Sequence, residues 1–131
     1  MPPSHPIDYV EFSTNDLSAS KKFFREAFDW KFVDYGTDYS AFNTGQMRGG
    51  FFSAASSSPA SASPSVPASS PGSSPNNPLI VLQSDDLNAS VELVVKFGAT
   101  ISKPILAFPG GERFHFLEPG GNELAIWRET L

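Results

Sequence analysis

The sequence says nearly the same thing twice, and this constrains the fold more than any other feature. Asp16-Leu17-Ser18-Ala19-Ser20 returns as Asp86-Leu87-Asn88-Ala89-Ser90, each copy preceded by a strand-like run, Ile7–Phe12 and Leu79–Gln83. Phe23-Phe24 corresponds to Leu93-Val94, and Phe28-Asp29-Trp30 to Phe97-Gly98-Ala99-Thr100. Two copies are too few for a solenoid, which needs three or more units to bury a continuous core. The expectation is one domain, residues 1–131, made of two stacked modules, with function sought in the cleft between them.

A length of 131 residues suits one domain with a real core, and twelve phenylalanines supply it. The formal charge of −5 argues against a phosphate-binding surface, so no nucleic-acid partner is expected. Lys21, Lys22 and Arg25 fall on one helical turn and read as a solvated face. With no cysteine, the chain has no disulfide, thiolate nucleophile or zinc–thiolate site. The start, Met1-Pro2-Pro3-Ser4-His5-Pro6, carries no charged stretch followed by an apolar run, and no segment reaches membrane-spanning length. A cytoplasmic protein with no membrane partner is expected.

Module one, residues 5–54, reads as strand, helix, then three strands. Ile7–Phe12 alternates; Asp16 caps a helix whose Leu17, Ser20, Phe24, Ala27 and Phe28 share one side. Strands follow at Lys31–Tyr35, Tyr39–Asn43 and, after Gly49-Gly50, from Phe51 to about Ala54. Residues 55–78 are rich in Ser, Pro and Ala and too poor in large apolar side chains to offset chain entropy, so they are expected to be a disordered linker. Module two, residues 79–129, repeats the order. Asp86 caps a helix carrying Leu87, Val91, Val94 and Val95, Gly98 ends it in the left-handed conformation, and Asp29 holds the matching place in module one. Its three strands are Thr100–Ala107, Arg113–Leu117 and Glu123–Arg128.

Alternation sorts the strands into two faces. Val10, Phe12, Phe114, Phe116, Leu124 and Ile126 form an apolar set expected to pack on the two helices. The opposite set mixes Tyr9, Glu11, Arg113, His115, Glu123, Ala125 and Trp127, as the lining of a partly enclosed concavity would. Phe108-Pro109-Gly110-Gly111-Glu112 is a glycine-hinged loop at its mouth, either a lid or a plain hairpin turn.

These features resemble the vicinal oxygen chelate superfamily, which includes glyoxalase I, bleomycin and fosfomycin resistance proteins and extradiol dioxygenases. The resemblance rests on the paired βαβββ order, on Asp16-Leu17, Phe23-Phe24 and Phe28-Asp29-Trp30, and on Glu118-Pro119-Gly120-Gly121-Asn122-Glu123-Leu124. Glu118 replaces the usual Asp of that turn, and Asp29 a usual Gly. The resemblance implies an α+β fold of two βαβββ modules, with a curved mixed sheet around a cavity and a metal held from the first and fourth strands of the modules. Those places are occupied here by Tyr9, Phe51-Phe52-Ser53-Ala54, Leu79 and Ala125, which offer a divalent ion almost no donors. Of the two histidines, His5 reads as a flexible terminal residue, while the offset of His115 from the closing turn resembles that of a cavity-facing catalytic Tyr in the dioxygenases.

The expected function is a glyoxalase-like protein without the usual metal ligands or any cofactor, binding a small aromatic or carbonyl-bearing molecule. Tyr9, Phe51, Leu79 and Trp127 would form walls, and Glu11, Arg113, His115 and Glu123 would supply polar contacts. The alternative is a lyase- or isomerase-type enzyme. There Glu11 and His115 act as general base and acid, or a divalent metal binds Glu11, His115 and Glu123 at a displaced site. For Glu11 and His115 a structural pairing, and for Glu123 a turn-capping role, stand beside these readings. The resemblance also implies a homodimer.

Overall fold

The computed structural model describes residues 4–54 and 78–130, so the expected linker lies outside the described residues. Each helix begins where its aspartate accepts a backbone N–H. Asp16 Oδ1 takes that of Ala19 at 3.0 Å and starts α1 (Leu17–Phe28), and Asp86 Oδ1 takes that of Ala89 at 3.0 Å and starts α2 (Leu87–Lys96). Both helices end in a left-handed residue, Asp29 at φ 59° and Gly98 at φ 106°. The strands are β1 (Tyr9–Thr14), β2 (Lys31–Asp34), β3 (Tyr39–Asn43), β4 (Arg48–Ser53), β5 (Ile80–Gln83), β6 (Thr100–Phe108), β7 (Gly111–Leu117) and β8 (Glu123–Glu129).

The strands form two four-stranded sheets ordered β1-β4-β3-β2 and β5-β8-β7-β6, each with one parallel pair and two antiparallel ones. The βαβββ order is as expected, but the single curved sheet around a cavity is not what forms. The sheets are neither joined nor closed, and β1 and β5 each end one of them. Alternation along a strand assigns its faces but carries no information about which edges meet, so this could not be read from the pattern.

Two elements differ locally from expectation. β4 starts at Arg48, ahead of the expected Phe51, because Gly49 and Gly50 are strand residues rather than a turn. A side chain at Gly49 would strike the Val10 carbonyl and the Phe42 ring, and one at Gly50 would strike the Tyr39 phenol. β6 shifts register against β7 around Lys103, next to Pro104, which has no N–H to give the ladder.

The helices and the inward faces of both sheets share one core. Phe24 stacks on Trp30 at 4.6 Å and lies 5.3 Å from Phe51, which in turn stacks on Phe12 at 4.9 Å. Phe23 and Phe28 of α1 reach across to Phe116 of β7, at 5.8 and 6.4 Å, so the first helix helps to cover the second sheet. Phe23, Phe24, Phe51, Phe114 and Phe116 are at most 1 % exposed. Each such side chain contributes about 1.5–3 kcal/mol by leaving water.

The closing turn after β7 joins the modules. Glu118 accepts from Ser20 Oγ at 2.9 Å, Asn122 Nδ2 at 2.7 Å and the Gly120 N–H at 2.5 Å. The Gly120 carbonyl accepts the Asn15 N–H at 2.9 Å, and Asn122 Nδ2 donates to the Ser13 carbonyl at 2.9 Å. Gly120 must lack a side chain, since a Cβ would collide with the Thr14 and Ser20 hydroxyls.

Candidate functional site

On the face of the first sheet turned away from the core, Tyr9, Tyr39 and Glu11 form a hydrogen-bonded cluster. Tyr39 Oη donates to Glu11 Oε2 at 2.9 Å, and the two phenol oxygens are 2.6 Å apart. Since the Tyr39 proton is committed to Glu11, Tyr9 donates to Tyr39, leaving the Tyr9 oxygen with lone pairs only. Gly50 sits beside Glu11 and Ala41 in the ladder, and its missing side chain is what lets the phenols lie there. Burial, then the bonds to Tyr9 and Glu11, push the Tyr39 phenol far above its ordinary value, so it stays a donor. Among these three, alternation had singled out Tyr9 and Glu11 but not Tyr39. The signal for it was the shared parity of Tyr39 and Ala41 opposite a glycine.

The corresponding face of the second sheet carries His115, Arg113, Glu123 and Trp127. His115 is buried at 6 % exposure beside Ala125 in the ladder. Its Nδ1 lies 3.4 Å from Glu123 Oε2 yet makes no hydrogen bond, and Glu123 Oε2 accepts instead from Ser102 Oγ at 2.8 Å. Burial lowers the imidazole below its ordinary value. Glu123 opposes that shift, while Lys103 and Arg113 add to it, so near neutral pH the ring is uncharged and its contact with Glu123 is no full ion pair. Arg113 lies over the Phe108 ring at 5.8 Å, and Phe108 is 6.4 Å from Trp127. These rings pack around Gly111, so the expected lid loop is the β6–β7 hairpin connection.

A third feature is a cavity of about 710 Å³ between the modules. Its walls include Val10, Phe12 and Ile126, from the set expected to face the helices, together with Phe28, Trp30, Phe42, Leu82 and Leu93. The intermodule cleft is therefore lined by the apolar strand faces and not by the mixed set.

Several expected site residues need correcting. Phe51 is fully buried under α1 and forms no pocket wall; its neighbour Phe52 has the parity of the outward face. Glu11 and His115 stand on different sheets with different partners, so the chain does not bring them together as an acid–base pair. Among the described residues no group of three or more His, Asp or Glu side chains is placed to hold a metal ion, which removes the displaced site of Glu11, His115 and Glu123. Leu79 directly precedes β5 and is half-buried; His5 is exposed ahead of β1. Glu118 proves to be the most heavily bonded carboxylate, structural rather than cavity-facing, with its carboxyl raised by burial against those bonds.

The inherited metal positions do not fit a divalent ion. The Tyr9 oxygen is engaged by Tyr39, Phe51 and Phe52 offer no side-chain donor on β4 and Ser53 only one hydroxyl, and Ala54, Leu79 and Ala125 have no side-chain donor atom.

No helix of the described residues is long and apolar enough to cross a membrane. No curated protein sequence matches the chain. Among solved structures it is similar to a glyoxalase/bleomycin resistance protein/dioxygenase family enzyme from Burkholderia phytofirmans PsJN (TM-score 0.76, 20% identity, 94% of this chain and 98% of that one). It is also similar to a glyoxalase-related enzyme from Fulvimarina pelagi (TM-score 0.74, 17% identity, 96% and 89%) and a fosfomycin resistance protein from Mesorhizobium loti (TM-score 0.68, 16% identity, 98% and 96%). At these identities the likeness shows the fold. The family model of the Glyoxalase/Bleomycin resistance protein/Dioxygenase superfamily matches residues 6–126, and the chain belongs to that superfamily.

Proposed function

We propose that this protein binds a small aromatic or carbonyl-bearing molecule on the outward sheet faces, without the superfamily's metal, and that a second copy completes the site. The observation that carries the reading is the division of the polar and aromatic groups. Tyr9, Glu11 and Tyr39 stand on one sheet, and Arg113, His115, Glu123 and Trp127 on the other, which is not continuous with it. Each cluster is half of a pocket. In a homodimer the first sheet of one copy would face the second sheet of its partner, and the exposed Tyr9, Val81, Leu106 and Phe108 would be covered. The lone pairs of Tyr9 and the carboxylate of Glu11 favour a ligand with a hydroxyl or amide hydrogen. Arg113 suits an oxygen acceptor, and Leu79, Phe52 and Trp127 form walls.

A second reading is supported by His115. An uncharged buried imidazole with an unpartnered Nδ1 is a competent proton acceptor once a substrate reaches it, and across a dimer it would face Glu11.

Light scattering and amide NMR spectra of the purified 14.1 kDa chain, with and without hydroxylated aromatic ketones such as 4-hydroxyacetophenone, test the proposal. The expected result is a dimer whose backbone amide resonances shift on ligand addition at Tyr9, Tyr39, Arg113 and Trp127. A monomer, or shifts confined to the intermodule cavity, would overturn it.

A further inference from the structure

The two repeats diverge on the helix-facing side of their sheets, and the intermodule cavity lies there. Around β7, Phe23 and Phe28 cover Phe116, and the turn at Glu118 seals Thr14 and Ser20. The repeat-related half lacks both devices. Phe12 opposes Phe51 and Leu82 opposes Ile126, so Gly49 is the counterpart of Leu124, and their partners Phe42 and Phe116 are counterparts too. Leu93 stands where α1 has Phe23, and it remains half-buried. Phe42 lies over Gly49 and stacks on Trp30 at 4.7 Å. The β3–β4 turn, Thr44 to Met47, brings no carboxylate to Ser84 and Ser90, which bond each other at 2.6 Å just as Thr14 and Ser20 do. Leu93 and Phe42 both face the open volume of about 710 Å³.

Protein interiors are packed with few voids larger than a water molecule, whereas pockets for small molecules measure about 300–1,000 Å³. We propose that this cavity is a second ligand site, separate from the sheet-face site, and that it takes an uncharged, flat aromatic molecule. Three features fix that chemistry. Phe12, Phe28, Trp30 and Phe42 supply aromatic walls for stacking and edge contacts. Among the described residues of the lining there is no Asp, Glu, Lys, Arg or His, so an ion entering would lose its hydration with no opposite charge from them to replace it. Of the polar lining groups, Ser84 and Ser90 bond each other, while Thr44, Gln46 and Gln83 are on exposed residues at the rim, where one polar substituent of the ligand would meet an amide or hydroxyl.

The test uses the full chain and N-phenyl-1-naphthylamine, a neutral aromatic probe whose fluorescence rises in apolar surroundings. The expected result is saturable binding at one probe per chain. Leu93→Phe restores the bulk that the first module has at this place and should weaken binding by about tenfold or more. Should Leu93→Phe fail to fold, Gln46→Trp at the exposed rim closes the entrance and should give the same loss. No saturable binding, or affinity unchanged in the folded cavity variant, overturns the proposal. So does loss of binding on Glu11→Ala, which would put the probe on the sheet face. Binding that appears only after deletion of residues 56–76 also overturns it, since this chain's own segment would then be the occupant.

Discussion

Gly50 holds the two phenols of the first sheet together by having no side chain of its own. A methyl group there meets the Tyr39 phenol and comes within 2.8 Å of the Tyr9 oxygen, so Gly50→Ala must displace the pair. Overpacking of this kind costs about 1–3 kcal/mol. Urea denaturation of Gly50→Ala should show that loss, and ultraviolet titration should show one phenol ionising at lower pH than in the parent, because Tyr39 leaves its bonds to Tyr9 and Glu11. His115 gives a pH dependence of definite sign. Its folded-state value lies below the ordinary 6.5, so the unfolded chain binds the proton more readily. Its contribution is therefore complete above that ordinary value and declines as pH falls through it towards the folded value. Denaturation midpoints measured from about pH 8 to about pH 5 should fall on the acid side, and His115→Gln should flatten that slope. Alternation identified Glu11 and Glu123, which flank Gly50 and His115, as facing away from the core. It could not supply the partners of either, because Tyr39 and Ser102 come from strands whose pairing only the folded sheet determines.

At the scale of elements, the helices were the most legible. Both aspartate caps and both left-handed ends stand where the sequence placed them, because these signals are local. The fourth strand was misread for the opposite reason. Two adjacent glycines look like a turn until the residues folding over them are known, and those residues, Phe42 and Tyr39, come from β3. The end of α1 offers a test of the local logic. Asp29 holds φ 59°, a conformation that glycine adopts without strain, and its ion pair with Lys31 is exposed on both sides. Such a surface pair contributes about 0–1 kcal/mol, while relieving a left-handed non-glycine residue is worth about 1 kcal/mol. Asp29→Gly should therefore leave thermal stability unchanged or raise it by a few degrees in a calorimetric scan. A clear fall would mean that the Lys31 pair outweighs the backbone term.

At the scale of the whole molecule, the two modules were readable from the repeat, but the way they meet was not. The parity of Val10, Phe12 and Ile126 assigned them to the core face, yet the same residues also wall the cleft, because α1 leans onto Phe116 and has no equal on the other side. One carboxylate carries much of the closed side. Glu118 is 2 % exposed and gathers donors from Ser20 on α1, from Asn122 and from the backbone of Gly120. Glu118→Ala strips those donors of their acceptor in a buried place, and the expected cost is about 2–4 kcal/mol in urea denaturation. The loss should be specific to the junction. Ser20→Ala removes one donor and should cost less, and the double variant should cost less than the sum by about 1 kcal/mol, since both changes break the same bond. Strict additivity would mean that Glu118 serves only its own turn. The two modules would then be held together by the phenylalanine contacts alone, and the asymmetry that opens the cavity would have to arise from Phe23 and Leu93 without help from the turn.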